Sequence, residues 1–92
     1  MNDLSVPILP RGVRRHFDKV RGVPVLLGPE RVLMLDEIGC AILDQVNGVS
    51  TIDEISTKLA EIYAAPKEDV STDVSDFLTD LGNKKLLVAT HG

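Results

Sequence analysis

Two hydrophobic periods occupy this chain, and they change over at one aspartate. Up to Leu35 the apolar residues come in short runs broken by proline and glycine; from Asp36 onward they recur every three or four residues. Side chains repeat every two residues in a strand and every 3.6 in a helix, so the first part is patterned for sheet and the second for helix. A chain divided in this way is an α+β domain.

Within the first part, Val13 to Val20 and Val23 to Leu27 flank Arg21-Gly22, where the glycine supplies the positive φ of a tight turn. These stretches predict a hairpin. Gly28-Pro29-Glu30 is a second break, and Arg31-Val32-Leu33-Met34-Leu35 after it is too short for a helix and fits a third strand. A three-stranded antiparallel meander is the simplest arrangement. The first ten residues, with Pro7 and Pro10, read as an irregular arm.

Asp36 is placed to cap a helix with Leu35, Ile38, Ile42 and Val46 on one face and Leu43 beside them, ending at Asn47-Gly48. Thr51-Ile52-Asp53-Glu54 has the spacing of a capping box, and Ile52, Ile55, Leu59 and Ile62 follow at helical intervals. Pro66 closes that helix and suits the first turn of another. Val70, Val74, Phe77, Leu78 and Leu81 would line the buried face of this third helix, with Gly82 as its stop and Leu86-Leu87-Val88 as a short extended tail. The expected fold is a three-stranded antiparallel sheet followed by a three-helix bundle.

Ninety-two residues, 43% of them apolar, suffice for one domain over 1–92. Phe17, Phe77 and Tyr63 are the only aromatics, so Leu, Ile and Val must supply the core. Cys40, between Gly39 and Ala41, reads as a small buried hydrophobe, and a single cysteine excludes an internal disulfide. The start MNDLSVPILP lacks the basic, unbroken apolar pattern of a signal peptide, and no run approaches the ~20 residues that span a bilayer. A cytoplasmic protein without membrane association is expected.

Chemistry needs convergent polar groups, and the sequence is poor in them. His16 falls in a predicted strand and His91 in the frayed terminus, which with one cysteine gives no zinc spacing; no C-x-x-C, H-E-x-x-H or glycine-rich phosphate loop occurs. Neither catalysis nor a resident metal or cofactor is expected.

Charge bears on the nucleic-acid alternative. Residues 1–35 hold six basic residues against three acidic, and residues 36–92 four against eleven. Three helices after a sheet resemble a winged helix-turn-helix, whose last helix enters the major groove. Here that helix, Lys67 to Leu81, carries Glu68, Asp69, Asp73, Asp76 and Asp80 against Lys67 alone, and phosphates would repel it. The acids are ordered: Asp69, Asp73, Asp76 and Asp80 form a stripe bordering Val70, Val74, Phe77 and Leu81. An apolar seam with an acidic rim suits an extended segment with hydrophobic and basic side chains; a plain amphipathic helix with its acids in water has the same pattern.

The blocks R-G-V-R-R-H-F-D-K-V-R-G (Arg11 to Gly22), L-G-P-E-R-V-L-M-L-D-E-I-G (Leu27 to Gly39), N-G-V-S-T-I-D-E-I (Asn47 to Ile55) and D-V-S-D-F-L-T-D-L (Asp73 to Leu81) resemble the PqqD family of pyrroloquinoline quinone biosynthesis. P-E-R-V-L-x-L-D-E-I-G is the specific part. Asn47 stands where the family tends to have aspartate, and Lys85 where a glycine usually precedes the last leucines. The resemblance implies a winged-helix-like peptide-recognition element that binds the precursor peptide PqqA and presents it to the radical S-adenosylmethionine enzyme PqqE. Iron–sulfur cluster and S-adenosylmethionine would belong to that enzyme. It also implies that the leader adds as a strand beside the third strand and against the third helix. The site would then comprise Arg31, Val32, Leu33, Met34, Leu35 and Asp36 with Asp69, Val70, Asp73, Val74, Asp76, Phe77, Asp80 and Leu81. An open strand edge equally recruits a second copy, so a homodimer, including one formed by strand exchange, is an alternative use of it.

Overall fold

The computed structural model describes residues 2–91, His91 by its backbone only. Eight elements follow in order: β1 (Ser5–Ile8), β2 (Arg14–Asp18), β3 (Val23–Leu27), β4 (Val32–Met34), α1 (Glu37–Asp44), α2 (Ile52–Tyr63), α3 (Lys67–Asn83) and β5 (Val88–His91). The predicted meander is the antiparallel sheet β2-β3-β4, with the third predicted strand as β4. Its first turn closes where Asp18 Oδ1 accepts from the N–H groups of Val20 and Arg21, and Gly22 takes φ 70°. Only glycine enters that region at little cost.

The N-terminal arm is not irregular. Ser5–Ile8 pairs antiparallel with Val88–His91 in a second, two-stranded sheet, which also puts the backbone of His91 in a strand opposite Ser5. Pro7 argued against a strand because it lacks an N–H. Ser5 donates its own N–H to the Asn2 carbonyl, away from β5, and alternation puts Pro7 on that same outer edge, where a missing donor costs nothing. Their side chains are both buried beneath the sheet.

Helix starts follow the predicted caps. Asp36 Oδ1 accepts from Gly39 N–H at 2.7 Å, and Thr51 and Glu54 exchange both capping-box bonds, at 3.1 and 2.9 Å. Helix ends differ. α1 stops at Asp44 rather than at Asn47, and Asn47 instead organises the next turn, its side-chain oxygen accepting from Val49 and Ser50. An aspartate would offer the same oxygen, so this departure from the family pattern keeps the turn. α3 runs through Gly82 to Asn83, and the positive φ that ends the segment belongs to Lys85 at 62°.

Leu26, Ile42, Ile52, Ile55, Leu59, Val74, Leu78, Leu81, Leu86 and Leu87 form the centre of an aliphatic core. Two side chains expected inside, Ile38 and Ile62, are exposed, and Cys40 is only half-buried at the core margin. No described helix is long and apolar enough to cross a membrane.

Candidate functional site

Strand β4 is an edge of its sheet, paired with β3 alone among the described residues. Gly28 N–H donates to Arg31 O at 2.8 Å and Leu35 N–H to Pro24 O at 2.9 Å, so residues 31, 33 and 35 turn their backbone groups toward β3. By alternation, Val32 and Met34 present N–H and C=O outward. The side chains alternate as well: Leu33 packs on the core, while Val32 and Met34 are 56% and 62% exposed. A three-residue edge with two open pairs of backbone groups and two exposed apolar side chains can accept one added strand.

The chain from Arg31 into α1 runs past α3 and the residues that follow it, in the opposite direction, as three points establish. Arg31 shares a cleft with Lys84 and Lys85. Further along, the Phe77 ring abuts Gly39, one turn after the Asp36 cap. At the far end, Ile38 and Ala41 share an apolar cleft of about 190 Å³ with Val70 and Asp73, floored by Ile42, Leu59 and Val74. The chain from Arg31 to Ala41 thus flanks a groove along α3, with a cleft at either end.

The fourteen residues of the sequence-derived site separate into three groups by burial, and of them Arg31, Val70, Asp73 and Val74 line the two clefts. Arg31, Val32, Met34, Asp36, Asp69, Asp73, Asp76 and Asp80 are exposed, and Val70, Phe77 and Leu33 are half-buried. Leu35, Val74 and Leu81 belong to the core, the last two at 1% and 0% exposure. The buried face of α3 is centred on Val74, Leu78 and Leu81, rotated by roughly 40° from the middle of the expected seam. Val70 and Phe77 therefore remain as its accessible apolar strip, directly beside the acids. Among these, Asp80 pairs with Lys84 at 2.7 Å; no ion pair of Asp69, Asp73 or Asp76 occurs among the described residues.

Ile38, Ala41, Tyr63 and Ala65 were missed as groove residues. Ile38 was visible as an apolar position, but its assignment to the core face of α1 concealed it. Opposite the groove, β2 exposes Arg14, Arg15, His16 and Phe17, tied to α1 by an ion pair between Arg15 and Asp44. That hydrogen bond to Asp44 holds the Arg15 guanidinium still further above its ordinary range. No cluster of three or more His, Cys, Asp or Glu suited to a metal occurs among the described residues.

The solution structure of a PqqD truncation of Methylobacterium extorquens PqqCD superposes with a TM-score of 0.77 at 41% identity, covering 90% of this chain and 88% of that one. It is described as a functional, stand-alone recognition element for ribosomally synthesised and post-translationally modified peptides. TbiB1, solved in complex with the TbiA(beta) leader peptide, matches with a TM-score of 0.73 at 26% identity over 87% of this chain and 93% of that one. The fold is that of such a peptide-recognition element. A protein of Bradyrhizobium diazoefficiens described as "PqqA binding protein" is 42% identical over 87 residues, 95% of this chain and 84% of that one. The chain belongs to the coenzyme PQQ synthesis protein D (PqqD) family, whose model matches residues 25–87.

Proposed function

We propose that this chain is a peptide chaperone: it holds the precursor peptide PqqA as an added strand on β4, against α3, and presents it to the radical S-adenosylmethionine enzyme PqqE. The observation that carries the reading is the outward-facing backbone of Val32 and Met34 at the open edge of β4. Main-chain bonds to that edge would give affinity whatever the peptide sequence, and the clefts along α3 would choose among sequences. Relatives described as PqqA binding proteins support the choice of peptide, and the leader-peptide complex of TbiB1 supports the mode. In this reading the chain catalyses nothing, carries no cofactor, has a winged-helix-like fold and works in the cytoplasm.

Calorimetric titration with the precursor peptide of the same genome tests the first half: saturable one-to-one binding is expected, and no heat or shift at saturating peptide rejects it. Co-sedimentation of the complex with the partner enzyme tests the second. A second copy competes for the same edge in the homodimer alternative, so peptide should lower any self-association seen by sedimentation.

A further inference from the structure

The clefts at the two ends of the groove differ in charge. At the end where β4 begins, Pro29, Glu30 and Arg31 face Lys84, Lys85 and Leu86 across a cleft of about 320 Å³. Lys84 is held by Asp80 at 2.7 Å, while neither Arg31 nor Lys85 is in an ion pair among the described residues. Two cations therefore face this cleft against the single Glu30. At the other end Asp73 lines the apolar cleft with Ile38 and Val70, and exposed Asp69 lies one turn earlier on α3. Lys67, at the start of α3, is held by Asp53 at 2.7 Å.

We infer that the groove is electrostatically polarised: it takes a peptide with an acidic side chain in the Arg31–Lys85 cleft and a basic side chain against Asp73. The spacing follows from the helix. Asp73 and Lys84, the residue that caps the end of α3, are separated by roughly 16 Å at 1.5 Å per residue. An extended strand covers that distance in about five residues at 3.3 Å each. Side chains on one face of a strand stand an even number of residues apart, so the two charges should be about four or six positions apart, with an apolar side chain on the same face between them for Phe77. Opposed poles fix the placement of a strand that backbone bonds alone would let slide.

This inference rests on the peptide-binding reading, and the test separates the two. Three short synthetic peptides, each made with the two charged positions about four and about six residues apart, share one alternating apolar pattern and carry there Glu and Lys, Glu and Glu, or Lys and Lys. The natural precursor is titrated beside them. The parent chain should prefer the mixed peptide by about tenfold over either of the others at low salt. Arg31→Glu with Lys85→Glu, both at exposed positions, should move the preference to the Lys/Lys peptide, and Asp73→Lys should move it to the Glu/Glu peptide, with unfolding midpoints confirming that the variants remain folded. If the precursor binds but the three peptides bind alike, or charge reversal leaves their order unchanged, the polarity is wrong and the groove stands. If neither precursor nor any synthetic peptide binds, the peptide-binding reading falls and this inference with it.

Discussion

The ring of Phe77 lies against Gly39, its Cε1 and Cζ only 3.1 and 3.2 Å from where a Cβ on that glycine would stand. This contact sets how closely α3 approaches α1. Asp36 Oδ1, already bonded to Gly39 N–H, is 3.1 Å from the same point. Gly39→Ala should therefore destabilise by about 1 kcal/mol: overpacking costs roughly 1–3 kcal/mol, and the better helix propensity of alanine returns about 1. Adding Phe77→Leu should reverse part of the loss, which a double-mutant cycle in urea would reveal as coupling. Additive effects would mean the ring moves aside freely.

Proline substitutions distinguish the two edges of β4. The Met34 amide faces outward, so Met34→Pro should leave the unfolding midpoint nearly unchanged and lower precursor affinity by about tenfold, the worth of one or two lost ladder bonds. Leu33→Pro removes a bond to β3 together with a side chain packed on the core, and should destabilise by about 3 kcal/mol or more. Thermal unfolding and peptide titration of both variants check the pair. Full affinity in folded Met34→Pro would remove β4 from the site and make the basic β2–β3 hairpin the next candidate.

The acidic side of α3 lends itself to charge reversal. Asp73→Lys with Asp76→Lys changes exposed residues without ion-pair partners among the described residues, so stability should shift by no more than about 0.5 kcal/mol for each. Affinity for a basic peptide should fall, and its dependence on salt should flatten, in titrations at two ionic strengths. The same variant tests the nucleic-acid alternative, because removing acid should strengthen any contact to phosphate.

Lys85 occupies a left-handed conformation at φ 62°, which side chains with a Cβ enter at a cost of roughly 1–2 kcal/mol. Lys85→Gly should stabilise the fold by about 0.5–1 kcal/mol, since the relieved strain exceeds the extra unfolded-state entropy of glycine. It also removes a cation from the Arg31 cleft, so affinity for an acidic peptide should drop while the unfolding midpoint rises. Opposite signs in the two measurements would separate the backbone role of this position from its charge.

Sequence by itself determined the elements whose signals are local. The change of period at Asp36, the Asp36 and Thr51 caps and the Val23–Leu27 strand each depend on residues a few positions apart, which interact whatever the rest of the chain does. The family resemblance lay in those same segments, and so the class of ligand was legible with them. Tertiary structure decided what depends on distant partners. Ser5–Ile8 became a strand only because Val88–His91 lies beside it, a pairing across almost the whole chain that no local pattern around Pro7 announces. The apolar face of α3 is wide enough for several orientations, and packing of Val74, Leu78 and Leu81 into the core chose one, leaving Val70 and Phe77 at the groove. Burial of an amphipathic helix is set by the shape of its neighbours, and period alone fixes which residues share a face without fixing how far that face turns inward.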